Sequence, residues 1–70
     1  MNSKKIGQLL FVLRGTKTQR EVAKALGISD SAVRQYESGN RVPKDEIKIR
    51  IAAYYNKTVQ EIFFNNEVHV

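Results

Sequence analysis

Apolar residues recur along this chain at helical rather than strand spacing, and that periodicity makes an all-α fold the expectation. Ile6, Leu9, Leu10 and Leu13 stand at i, i+3, i+4 and i+7, on one stripe of a first helix over about 4–14 that Ser3 can cap. Gly15 ends it. Thr18, with Glu21 three residues later, forms a capping box for a second helix over about 19–26, whose inner face is Val22, Ala23 and Leu26. Gly27 supplies the left-handed residue that stops it. Ser29 caps a third helix over about 30–38, which turns Val33 and Tyr36 inward and Ser31, Arg34, Gln35 and Ser38 outward. Gly39 and Asn40 make the next stop. Pro43 suits the first turn of a fourth helix over about 44–55, with Ile47, Ile51, Tyr54 and Tyr55 as its buried stripe. A second capping box, Thr58 with Glu61, opens a short fifth helix carrying Val59, Ile62 and Phe63. Val68-His69-Val70 is the one candidate strand, at the C-terminus.

Such helices must be held by apolar packing, because the 70 residues contain no cysteine. Disulfides, thiolate metal sites and cysteine nucleophiles are thereby excluded, and the single His69 builds no histidine site. A chain of this length has room for one domain. The seven acidic residues are scattered, with no catalytic pair, phosphate loop or metal set, so no catalytic residue, metal or cofactor is assigned and an enzyme is the poorest reading. The longest apolar run, Leu9 to Leu13, is far below the roughly 20 residues that span a bilayer. With no signal-peptide layout visible, the expectation is a soluble cytoplasmic protein with no membrane partner.

The charge points elsewhere. Twelve Lys and Arg against seven Asp and Glu give a net charge of +5, which favours polyanionic partners. Residues 1–44 carry nine basic and three acidic side chains, whereas 45–70 carry three and four, so the first two-thirds should face the polyanion.

The segment from Gln19 to Ser38 joins these observations. Two short capped helices cross over a glycine turn, with Ala23 small at the crossing and Val22, Leu26, Ile28, Val33 and Tyr36 packed inward. This is the pattern of a helix-turn-helix. The run from Thr18 to Ser29, TQREVAKALGIS, followed by Val33, Tyr36-Glu37-Ser38-Gly39 and Pro43, resembles the phage repressor and Cro family, also called the xenobiotic-response-element type. The similarity continues through Lys48-Ile49-Arg50-Ile51-Ala52 and Val59-Gln60-Glu61-Ile62-Phe63, covering nearly all of residues 4–64. It implies a compact five-helix DNA-binding domain of the lambda-repressor-like type over 1–64, commonly acting as a homodimer on double-stranded operator DNA. Residues 65–70 form a tail that is a candidate dimer contact.

In the major groove the N-terminal part of the second helix of such a motif reaches base edges, so the base-reading candidates are Asp30, Ser31, Arg34 and Gln35. Arg34 can fork onto guanine O6 and N7, or pair with Asp30 within the helix. Gln35 can pair with adenine N6 and N7. Asp30 can accept from cytosine N4, or simply favour the positive helix N-terminus. Thr18, Gln19, Arg20, Asn40, Arg41 and Lys44 are the phosphate-binding candidates. By resemblance, Gln19 also braces the recognition helix, and Glu37 occupies a position that often pairs with an arginine of the first helix. Phe11 and Val12 stand where that arginine is expected, and Arg14 is the replacement at hand. Tyr54, Tyr55, Phe63 and Phe64 are assigned to core or dimer surface rather than to base stacking. The function expected is a transcriptional regulator of repressor type, with no small-molecule ligand. The competing class is an antitoxin or antirepressor that binds another protein with the same scaffold.

Overall fold

A computed structural model describes residues 2–64 of the chain. Four α-helices, α1 (Ser3–Arg14), α2 (Gln19–Leu26), α3 (Asp30–Ser38) and α4 (Asp45–Tyr54), are followed by a fifth helix, Gln60–Phe64. No strand is present among the described residues, and the proposed strand at 68–70 lies outside them.

The local signals act largely as the sequence indicates. Thr18 Oγ1 accepts from Glu21 N at 3.0 Å while Thr18 N donates to Glu21 Oε1 at 3.2 Å, closing the first capping box. Ser29 Oγ accepts from Ala32 N at 3.0 Å at the head of α3. Gly27 (φ 72°) and Gly39 (φ 82°) are left-handed, the conformation that spares only glycine a Cβ penalty.

Three details differ. The cap of α1 is Asn2, whose Oδ1 accepts from Lys5 N at 3.1 Å, and Ser3 is the first helical residue. An amide oxygen one residue earlier competes directly with the hydroxyl for the same orphan donors. Pro43 lies before α4 rather than in its first turn, because Lys44 is the N-cap and makes no side-chain bond. The fifth helix winds as a π-helix, although its capping box forms, with Thr58 N donating to Glu61 Oε1 at 2.8 Å. The wide turn is a tertiary outcome: it is five residues long and buries Ile62 and Phe63.

The core gathers one stripe from every helix: Ile6 and Leu10; Val22, Ala23 and Leu26; Ala32, Val33 and Tyr36; Ile51 and Ala52; Ile62 and Phe63. The α4 stripe is narrower than the spacing suggests. Ile51 is fully buried, Ile47, Tyr54 and Tyr55 are partly so, and Ala52 and Lys48 complete the face. Lys48 lays its stem inside and holds its ammonium 3.5 Å from Asp45 and over the rings of Phe63 and Phe64.

Helix α1 lies directly against α3. Gly7 is buried there, and a Cβ on it would fall 2.8 Å from Tyr36 O and still closer to Glu37 O. Helix α2 packs on both α3 and α4, and Arg50 Nη1 reaches from α4 to the Leu26 carbonyl at 3.3 Å. That carbonyl is one of the orphan acceptors at the end of α2. Helix α3 is thus fixed from two sides.

Candidate nucleic-acid interface

The side of α3 that α1 and α2 leave open is polar. Arg34 and Ser38 are exposed, and Asp30, Ser31 and Gln35 are half-buried, while Ala32, Val33 and Tyr36 face the core. Gln35 is oriented by its neighbours. Its Nε2 donates to Ser31 Oγ at 3.3 Å, and its Oε1 accepts from Arg41 Nη1 at 3.5 Å. The guanidinium of Arg41 also lies over the Tyr36 ring, 5.5 Å from its centroid. Arg34 makes neither a hydrogen bond nor an ion pair among the described residues, and its five N–H donors are available.

Asp30 is not the partner of Arg34. Its Oδ2 accepts from Arg20 Nε at 3.4 Å, joining the second residue of α2 to the first of α3. Asp30 therefore sits at the positive end of a helix and beside a cation at once.

The phosphate-binding candidates lie around this face. Thr18 caps α2, its oxygen accepting from Glu21 N, and the residue is exposed. Asn40, Arg41 and Lys44 follow α3 and are exposed. Gln19 is half-buried, and its Nε2 donates to Glu37 Oε1 at 3.1 Å, so this side chain ties α2 to α3.

Glu37 is the centre of a larger network than its sequence position indicates. Arg14 Nε donates to its Oε2 at 2.7 Å, and Arg14 Nη1 donates to Lys17 O at 2.7 Å. The arginine at the end of α1 thus fills the role left open by Phe11 and Val12. Both partners are shielded, with side chains 15% and 7% exposed. The bond to Glu37 raises the Arg14 guanidinium above its ordinary value. Nearby, burial pushes the Tyr55 phenol up to about 12, and the charge of Glu37 adds to the shift. The network positions the α1–α2 loop and α3 together.

Sequence reasoning did not place Lys4 at this surface. Its backbone lies against Gly39, where a Cβ would come 2.9 Å from Lys4 Cα, so α1 brings an exposed lysine beside the end of α3. Only the fold shows this, because 35 residues separate the two positions. Nor did sequence reasoning single out Gly7, whose signal, a glycine inside an apolar helical stripe, is legible in retrospect.

No group of three or more metal-ligating side chains occurs among the described residues. No helix among them is long and apolar enough to cross a membrane.

Comparison with known proteins agrees with this geometry. No curated protein and no solved structure matches the chain. The helix-turn-helix family model matches residues 13–62, from the end of α1 through the fifth helix. That span takes in most of the chain, including α2, the Gly27 turn and α3. The chain belongs to the helix-turn-helix family of the Cro/C1 type, a family of DNA-binding transcription regulators.

Proposed function

We propose that the protein is a sequence-specific repressor that binds double-stranded operator DNA as a homodimer, placing α3 in the major groove of each half-site. One observation carries the reading. Ser31, Arg34 and Gln35 stand on the open side of α3 while the opposite side is clamped by α1 and α2. A helix that is rigid behind and rich in donors in front fits a groove whose base edges form a donor and acceptor code. Arg34, which has no partner among the described residues, reads guanine, and Gln35, held by Ser31 and Arg41, reads adenine. Thr18, Gln19, Asn40, Arg41 and Lys44 hold the flanking phosphates, and Lys4 joins them from α1. Two recognition helices related by a two-fold axis would meet half-sites one DNA turn apart, roughly 34 Å. The dimer is assigned to the C-terminal third, where Ile49 is exposed, Phe64 is half-buried and the tail 65–70 follows.

The test is selection from random double-stranded DNA, followed by binding of the selected duplex to the Arg34→Ala variant. The expected outcome is a loss of about 1–3 kcal/mol in discrimination at one base pair of each half-site, with nonspecific affinity largely kept. An equal loss on every sequence would remove Arg34 from the base-reading set.

A protein-binding role on the same scaffold has one observation on its side. Phe11 and Val12 on α1 are 60% and 70% exposed, on a face away from the core. Binding to DNA that weakens steeply with salt supports the first reading, whereas salt-insensitive capture of a protein partner supports the second.

A further inference from the structure

We infer that Arg20 is a base-reading residue for guanine in the major groove and that Asp30 is the side chain that positions it. The inference rests on the DNA-binding reading above and moves Arg20 out of the phosphate-binding set in which its sequence position first placed it.

Three observations lead there. Arg20 Nε donates to Asp30 Oδ2 at 3.4 Å, so the carboxylate holds the guanidinium by its Nε edge. Nη1 and Nη2 are then left as a free pair of parallel donors, the arrangement that fits O6 and N7 of guanine. Asp30 is the first residue of α3, the end of a recognition helix that meets base edges, so the tether brings the fork of an α2 residue to the mouth of α3. Finally, the Arg20 side chain is 85% exposed, so the protein leaves its outer edge uncovered.

The same pair accounts for an acid at this place. A bare carboxylate brought between two rows of phosphates is repelled. Neutralised by Arg20 it is not, and Arg34, four residues further on, remains free to act on its own. An untethered arginine would be a mobile cation that any phosphate satisfies. Held at Asp30, it offers direction, and direction is what base recognition requires.

The experiment uses the full chain and the duplex it selects from random double-stranded DNA, with binding measured on that duplex and on its single-base-pair variants. Arg20→Ala is expected to lose roughly ten-fold discrimination at one G·C pair per half-site. Arg20→Lys keeps the charge but not the fork, so it should lose discrimination at the same pair while keeping the salt dependence of the wild type. Asp30→Ala is expected to lose several-fold at that pair and no other, and to bind unrelated DNA more tightly. The double variant should be no worse there than Arg20→Ala. Arg20 is exposed and Asp30 half-buried, and matching thermal unfolding of each variant checks that the fold is kept. The inference is overturned if Arg20→Ala weakens all duplexes equally and lowers the salt slope, or if Asp30→Ala alters a pair that Arg20→Ala leaves alone. Failure to select any duplex overturns the DNA-binding reading and this inference with it. A duplex selected with unchanged preference on Arg20→Ala overturns this inference only.

Discussion

Gly7 and Arg14 show what a single side chain decides in this chain. The close approach of α1 to α3 requires a residue without a Cβ, because that atom would press on the backbone carbonyls of Tyr36 and Glu37, which cannot swing aside as a flexible side chain would. Gly7→Ala should therefore destabilise the protein by about 1–3 kcal/mol despite the better helix propensity of alanine. Chemical denaturation checks this, and an unchanged or raised midpoint would show that the two helices can separate without cost. Arg14→Met tests the opposite situation, a charge left behind. Glu37 would keep Gln19 but lose its only ion-pair partner among the described residues while shielded from water. A loss on the order of 3 kcal/mol is expected, a large part of the roughly 4–10 kcal/mol available to a domain of this size. Adding Glu37→Leu should recover much of it. Neither position was fully legible from the sequence. The family resemblance marks Glu37, yet its partner lies 23 residues away, and only packing brings the end of α1 over α3.

Elements were more readable than contacts, for a physical reason. Caps and turns are decided within four residues, so Thr18 with Glu21, Ser29, Gly27 and Gly39 could be assigned from spacing alone. The polar face of α3 was legible on the same ground, since a helical period fixes which side chains share a side. What spacing could not fix was the partner of each one: Asp30 meets Arg20, ten residues away, and not Arg34. The fifth helix marks another boundary of local reasoning. Its capping box forms as its residues dictate, but the wide π turn follows from seating Ile62 and Phe63 in the core. That box also carries a pH dependence. The Thr58 backbone N–H, with the hydroxyl adding, holds the Glu61 carboxyl below its ordinary value of 4.5. A carboxyl with a depressed folded value adds stability above its unfolded value, and that stability is lost as pH falls through the folded one. Thermal melts from neutral pH to about 3 should thus fall more steeply for the wild type than for Glu61→Gln, which keeps an acceptor but does not titrate. Parallel curves would show that the box contributes nothing to the acid limb.

At the scale of the molecule, the uneven charge and the symmetry of the assembly can be measured together. Binding to DNA releases condensed counterions, so the slope of log K against log salt is about −0.9 for every phosphate neutralised. With Arg20 directed at a base, the cations assigned to phosphates after α3 are Arg41 and Lys44, both exposed. Two such cations in each subunit of a dimer neutralise four phosphates, which gives a contribution of about −3.6 to the slope. Lys44→Gln in a homodimer removes one contact from each half-site and should reduce the slope by about 1.8, with base preference unchanged. In a monomeric complex the same substitution would reduce it by only about 0.9. Lys57→Gln is the control, because Lys57 belongs to the C-terminal part of the chain where acids outnumber bases, beside Leu9, Leu13 and Ile62 rather than α3. Its slope should match that of the wild type. A change at Lys57 equal to that at Lys44 would mean that binding follows net charge without orientation, and α3 would then lose its claim to the groove.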